Sequence, residues 1–143
     1  MNILFTGANG FLGKNVIPNI SKDYKVYSLD LSNADFLFNI SNQIPDFEDC
    51  EFDVVFHAAG KAHSIPKTLE EKNVFFDINE KGTKNLCAAL EKSKLPSVFI
   101  FISTVAVYGL EFGELIHENS PLNGRTPYAQ SKINAEFFLK DWC

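Results

Sequence analysis

Asn2-Ile-Leu-Phe-Thr6 runs directly into Gly7-Ala8-Asn9-Gly10-Phe11-Leu12-Gly13, and a helical pattern follows over 14–20. An apolar run broken by closely spaced glycines and then by helix reads as a strand–loop–helix unit. Such a unit turns the backbone N–H groups of the first helical turn toward the loop. That end of a helix carries partial positive charge and unpaired donors, so it suits a diphosphate. Gly7 permits the tight turn, Gly10 removes a Cβ where the diphosphate approaches, and Gly13 lets the helix pack close to its strand. The spacing is G-x-x-G-x-x-G rather than the G-x-G-x-x-G of the dinucleotide fingerprint. Surface turns also collect glycine. The position between a strand and a helix favours the ligand-binding reading.

The 143 residues amount to one domain able to bury its own core. With 45% hydrophobic and 22% charged residues, the composition is that of an ordinary globular domain. A net charge of −5, a single arginine (Arg125) and no cluster of basic residues argue against a nucleic-acid partner. No apolar run approaches the ~20 residues of a membrane span. The first apolar stretch is five residues long and meets the glycine loop at once, unlike a signal peptide. Cys50, Cys87 and Cys143 are far apart and odd in number, which suggests neither a disulfide framework nor a zinc site or other metal. A reducing cytoplasm is the expected compartment.

Beyond the loop, β-rich and helical runs alternate. Lys25-Val-Tyr-Ser-Leu-Asp30 reads as a strand ending in an acid, Phe36 to Ile40 as a weaker strand, and Asp53-Val-Val-Phe-His57 as a buried one. A helix is expected over 70–93, with Val74, Ile78, Leu86 and Leu90 mostly spaced by four, and Pro96 beyond its end. Val98-Phe-Ile-Phe-Ile-Ser103 is apolar enough for the centre of a parallel sheet. Thr126-Pro127 is an N-cap followed by proline at the first helical position, opening a last helix with Tyr128, Lys132, Ala135, Phe138 and Leu139. The alternation predicts an α/β fold with a doubly wound parallel sheet spanning 1–143. Ligands in such sheets bind at the C-terminal ends of the strands.

Those ends hold the chemistry. Asp30, seventeen residues after Gly13, can accept hydrogen bonds from both hydroxyls of an adenosine ribose and would repel a 2′-phosphate, which favours NAD over NADP. His57-Ala58-Ala59-Gly60 places small residues where a cofactor could pass close to backbone. His57 itself reads as a packed, hydrogen-bonded histidine, and His63 and His117 as loop residues without a role. Tyr128 and Lys132 are four apart on a helix and share a face. An ammonium beside a phenol favours the phenolate. Such a tyrosine can take a proton from a sugar hydroxyl while hydride leaves the same carbon. Thr104 could hold that hydroxyl in line.

The whole chain resembles the extended short-chain dehydrogenase/reductases, specifically the NAD-dependent epimerase/dehydratase family. The resemblance rests on Thr6-Gly7-x-x-Gly10-x-x-Gly13, Asp30, His57-x-Ala59, Asn79-x-x-Gly82-Thr83-x-Asn85, Ser103-Thr104 before Val107-Tyr108-Gly109, and Tyr128-x-x-x-Lys132. It implies a Rossmann-like sheet, NAD as cofactor and a catalytic set of Thr104, Tyr128 and Lys132. The implied cofactor-binding set is Gly7, Asn9, Gly10, Phe11, Leu12, Gly13, Asp30, Asn39, Ile40, Ala58, Ala59, Gly60, Tyr128 and Lys132. In it the Phe11 and Leu12 amides hold the pyrophosphate. Asn39-Ile40 falls where the family has Asp and an aliphatic residue against adenine, so that contact changes character.

Two departures bear on function. The family's 4,6-dehydratases follow their threonine with Asp-Glu. Val105-Ala106 stand here and can supply neither acid nor base, which disfavours dehydration. Family members also run to roughly twice this length, so the chain is expected to stop before the last strands and the substrate domain. The implied function is the N-terminal portion of a nucleotide-sugar 4-epimerase acting on a UDP-linked sugar, homodimeric when full-length. The alternatives are a 4-dehydrogenase or keto-reductase with the same triad, and a truncated, non-catalytic NAD-binding module.

Overall fold

The computed structural model describes residues 1–142, so Cys143 lies outside the described residues. Five parallel strands form one sheet: β1 (Asn2–Thr6), β2 (Lys25–Asp30), β3 (Phe36–Leu37), β4 (Val54–His57) and β5 (Val98–Phe101), in the order β3-β2-β1-β4-β5. Helix α1 (Phe11–Ile20) links β1 to β2. Helices α2 (Leu69–Phe76) and α3 (Gly82–Leu90), joined by a π-helical turn over Asp77–Lys81, link β4 to β5, and α4 (Pro127–Trp142) follows. This is the expected doubly wound, Rossmann-like arrangement. Its register aligns Thr6 with Leu29 on one side and His57 on the other, and His57 with Phe101. The C-terminal ends of β1, β2, β4 and β5 therefore open along one edge, where the connections diverge.

The core lies on one face of the sheet. Leu4, Leu29 and Val55 pack there with Ile40, Phe47 and Phe52 and with Leu86, Ala89 and Leu90 of α3. Phe36, Phe47 and Phe52 meet edge to face with centroids 5.1–6.1 Å apart, a favoured geometry for aromatic pairs. Phe5 points to the opposite face and stacks on Phe56 at 4.7 Å.

Two sequence expectations change. The strand expected over 36–40 pairs only through Leu37, because the chain turns at Asn39, whose side chain accepts from Ser41 N–H. The helix expected over 70–93 is interrupted by the π-helical turn and ends at Leu90, and Phe75 rather than Val74 is buried. A spacing of four drifts by about 40° per step against the 3.6-residue turn, so a row that buries Leu86 and Leu90 has rotated to solvent by Val74. β5 lies at the sheet edge among the described residues, in keeping with a sheet expected to lack its last strands, with Val98 48% and Ile100 38% exposed. Phe99 does face the packed side, with its ring 5.5 Å from that of Trp142.

Candidate functional site

The site is built outward from the glycine loop. Gly10 caps α1 in an extended conformation without a side-chain hydrogen bond, and the first turn carries no acid. The first-turn amides therefore face the loop with neither a cap nor a carboxylate to satisfy them. Gly7 has φ +73°, and a Cβ there would lie 2.7 Å from Ala59 N. Only glycine fits that turn and lets the loop touch β4's extension. Gly7 N–H also donates to Leu29 O at 2.9 Å, tying the loop to β2. Gly13 serves closeness of a different kind from the one expected: its Cβ would meet Ala8 O at 2.1 Å, so α1 packs on its own loop.

A cleft of about 400 Å³ extends from the loop over the end of β2. Gly7, Asn9, Gly10, Asp30, Asn39, Ile40, Ala58, Ala59 and Gly60 line it, joined by Leu29, Leu31, Phe38 and Ile78. Asp30 is held in place by Asn9 N–H at 2.8 Å and Leu31 N–H at 2.7 Å. The Asn9 side chain donates to Ser32 O. A second cleft of about 380 Å³ shares Gly7, Gly10, Ala58 and Gly60 with the first and continues toward β5. It adds Phe11, Leu12, Lys61, Ala62, His63, Ile102, Ser103, Tyr128 and Lys132. The two form one crevice with the glycine loop at its middle.

Behind the crevice runs a buried polar chain. Thr83 Oγ1 donates to Asn79 O at 2.7 Å, so it must accept from His57 Nε2–H at 3.0 Å. Nδ1 of His57 is then bare and accepts from Thr6 Oγ1–H at 2.6 Å, while Thr6 Oγ1 accepts Ala59 N–H at 3.1 Å. Every proton in the chain has one direction, and His57 is neutral. Burial pushes its pKa down to about 3, with the nearby Lys132 charge acting in the same sense. His57 is the packed histidine expected of it, and it holds the backbone that floors the crevice. The other polar residues of Asn79-x-x-Gly82-Thr83-x-Asn85 are also accounted for. The Asn79 amide clamps Lys61 through its N–H (2.7 Å) and its C=O (3.0 Å) and reaches Ser131 Oγ at 2.9 Å. Gly82 leaves room for Ile40, and Asn85 Nδ2 donates to Ile40 O at 2.8 Å.

Helix α4 forms the far wall. Thr126 Oγ1 caps it by accepting Ala129 N–H at 3.1 Å, and Pro127 occupies the first position, as expected. Lys132 is buried, with Nζ donating to Ile102 O at 2.7 Å and lying 4.3 Å from the centroid of the Phe101 ring. Burial lowers its pKa to about 8, and the Glu136 charge one turn on opposes that shift. Glu136 accepts from Ser103 Oγ. Adjacent residues at the end of β5 are thus tied to α4 through side chains one turn apart. Thr104 accepts Ala106 N–H at 3.2 Å, capping a short 3-10 turn over Val105–Tyr108.

Of the residues singled out from sequence, Gly13 and Thr104 do not line the crevice, and the others do. Those missed are Leu29, Leu31, Phe38, Lys61, Ala62, Ile78, Ile102, Ser103 and His63, the last having been assigned no role. All but Ile78, which lies in the π-helical turn, follow a strand closely or lie near its end, a signal that is weak without the topology.

The family model for the NAD dependent epimerase/dehydratase family matches residues 3–143. A curated relative, N-acetyl-alpha-D-glucosaminyl-diphospho-ditrans,octacis-undecaprenol 4-epimerase of Escherichia coli O157:H7, is 34% identical over 99% of this chain and 43% of its own length. The solved dTDP-4-dehydrorhamnose reductase of Clostridium acetobutylicum superposes with TM-score 0.81 at 30% identity, covering 99% of this chain and 50% of its own. UDP-glucuronic acid 4-epimerase of Bacillus cereus, solved in complex with NAD, gives TM-score 0.77 at 26% identity over 99% of this chain and 52% of its own. The relatives' names span 4-epimerases, reductases and 4,6-dehydratases. The chain spans about half the length of the curated relatives it matches. It belongs to the NAD dependent epimerase/dehydratase family, whose members are enzymes.

Proposed function

We propose that residues 1–143 form the NAD-binding portion of an epimerase that inverts C4 of a sugar carried on a diphosphate. The observation that carries the reading is the crevice itself: an uncapped helix N-terminus at its middle, Asp30 along one arm, and Tyr128 with Lys132 along the other. The residues fit the dinucleotide. The amides of Phe11 and Leu12 would hold a diphosphate that Gly10 leaves room to approach, since a Cβ at Gly10 would meet only Gly7 O, at 3.1 Å. Asp30, held by two backbone N–H groups, presents acceptors to ribose hydroxyls and disfavours a 2′-phosphate. Asn39 and Ile40 lie toward the base, and Ala58, Ala59 and Gly60 floor the crevice.

NAD supplies a reversible hydride acceptor when bound. Tyr128 is the acid–base group that takes the proton of the sugar 4-hydroxyl and later returns it. Lys132, cationic below about pH 8 and anchored on Ile102 O one helical turn from Tyr128, would hold the ribose on its side. Thr104 stands beside the crevice rather than in its wall, next to Ser103, which lines it; it accepts Ala106 N–H and keeps its own O–H to donate to a sugar oxygen that reaches past Ser103.

A second reading, a dehydrogenase or keto-reductase with the same triad, is favoured by the likeness to a reductase. Val105 and Ala106 after Thr104 leave no acid–base pair there for dehydration. A third, a binding module without turnover, is favoured by the span of about half a relative's length. Calorimetric titration with NAD and NADP tests the cofactor assignment: NAD should bind and NADP should bind more weakly. A coupled assay on UDP-sugars then separates the readings. We expect the 143-residue chain alone to bind without turnover, and the chain joined to a relative's C-terminal half to epimerise. Absence of NAD binding would overturn the assignment.

A further inference from the structure

With a diphosphate at the glycine loop and a ribose at Asp30, the dinucleotide's base must lie beyond Asp30. The crevice there has apolar walls from Leu31, Phe38, Ile40 and Ile78. Past Asp30, Asn39 is the one polar side chain lining that arm among the described residues. Its orientation is fixed from behind. Asn39 Oδ1 accepts Ser41 N–H at 3.2 Å and Ser41 Oγ–H at 2.7 Å, and its backbone N–H donates to Gln43 Oε1 at 2.8 Å. A backbone N–H can only donate, so the oxygen must be the atom facing Ser41, and the amide cannot be flipped. Two donors fill the oxygen's two lone pairs. The group left to meet a base is Nδ2, with two N–H donors. The turn is in turn pinned to α3 through Asn85 and Ile40 O.

We propose that Asn39 meets the cofactor's base as a hydrogen-bond donor, so that the site accepts a 6-oxopurine dinucleotide as readily as an adenine one. The inference rests on the dinucleotide reading above. Adenine presents a 6-amino donor, whereas a 6-oxo purine presents an acceptor at the same place. With its 6-position against Nδ2, adenine would gain nothing from its amino group and would keep only its ring nitrogens as acceptors. Asparagine here therefore gives up the selection that an acceptor would impose. Aspartate would keep the same turn, with one oxygen on Ser41, and would exchange the Nδ2 donor for an anionic acceptor. That group pairs with an amino group and repels an oxo group, and hydrogen bonds to charged groups are the ones that discriminate most.

The test is calorimetric titration of the 143-residue chain with NAD and with nicotinamide hypoxanthine dinucleotide. The two dissociation constants should agree within about threefold, and Asn39→Asp should move their ratio about tenfold toward NAD, the scale of one charge-assisted contact. Parent chain that prefers NAD by tenfold or more would overturn the inference while leaving the cofactor reading intact, and so would an Asn39→Asp chain, folded by circular dichroism, with an unchanged ratio. Binding of neither dinucleotide would overturn both. The parent comparison needs no variant, so a misfolded Asn39→Asp would not rescue the idea.

Discussion

The Thr6 hydroxyl lies 2.6 Å from His57 Nδ1, across the β1–β4 pair at the point where both strands end. The contact works only with a neutral imidazole, because Thr6 must give its proton to Nδ1. Protonating His57 would place N–H against O–H in a fully buried site. Burial, with the Lys132 charge acting in the same sense, holds the pKa at about 3 against an ordinary 6.5 and so keeps the imidazole in the form this contact needs.

Stability should therefore fall in acid through this one group. Between pH 6.5 and about 3 the unfolded chain takes up a proton on His57 that the folded chain refuses. The unfolded state then binds more protons, so stability rises with pH across that window and is lost as pH falls. At about 1.4 kcal/mol per pH unit, the loss between pH 6.5 and 4.5 is about 2–3 kcal/mol. His57→Asn can accept from Thr6 and donate to Thr83 without titrating. Urea unfolding of parent and variant at several pH values should show the parent's extra slope disappear. Parallel profiles would mean that His57 titrates alike in both states.

Lys132 gives the opposite end of the pH scale. Its pKa of about 8, against 10.5, means that between those values the unfolded chain is protonated while the folded chain is neutral. Stability should rise with pH over that window, by about 3 kcal/mol in all, and the buried charge is a full burden below pH 8. Lys132→Met removes the titration, so its unfolding free energy relative to the parent should decline from pH 8 to 10.5. Glu136→Gln removes the charge that opposes the shift, so this variant's window should reach further down in pH than the parent's. Chemical denaturation across pH 7–11 reads both. A Lys132→Met profile parallel to the parent's would place the ammonium in solvent.

Binding should fail at two points for different reasons. Gly10→Val puts a branched side chain into the approach to the α1 amides, and NAD binding should drop below detection. Asp30→Ala leaves that approach open but removes the ribose acceptor, so NAD should weaken by about tenfold, the worth of charge-assisted hydrogen bonds, and the preference over NADP should shrink. Calorimetry with both dinucleotides measures each effect. Unchanged NAD affinity in both variants would remove the crevice as the cofactor site.

How much of this was legible follows from what each signal encodes. The glycine loop, Asp30 and the Tyr128–Lys132 pair announce themselves because local geometry demands those residue types at those spacings. Asn79 and Thr83 were visible as part of a family pattern, but their work is not local: one clamps Lys61 and the other orients His57. The π-helical turn over 77–81 has no proline or glycine within it to betray it. Leu31, Phe38 and Ile78 became crevice wall only once β2 and the turn after β3 were placed side by side, and spacing along a chain does not report that. The apolar run of β5 did predict a strand. Its place in the sheet depends on partners that hydrophobicity does not name.

The last prediction concerns self-association. Among the described residues the outer edge of β5 has no partner strand, and Val98 and Ile100 stand 48% and 38% exposed beside it. An apolar edge with free N–H and C=O groups is a template for pairing with another chain. The helical side also exposes apolar groups, Leu69 at 67%, Val74 at 36% and Phe137 at 56%, but its backbone N–H and C=O groups are already paired within the helices. We expect the 143-residue chain to self-associate at micromolar concentrations, chiefly through β5. Ile100→Lys places a charge on that exposed face and should disperse the assemblies, because a charged edge repels a second copy. Phe137→Lys, on α4, should leave most of the association in place. Size-exclusion chromatography with light scattering over a concentration series reads all three chains. A parent that elutes as a monomer throughout would dismiss the sheet edge as a contact surface, and dispersal by Phe137→Lys alone would move the interface to the helices.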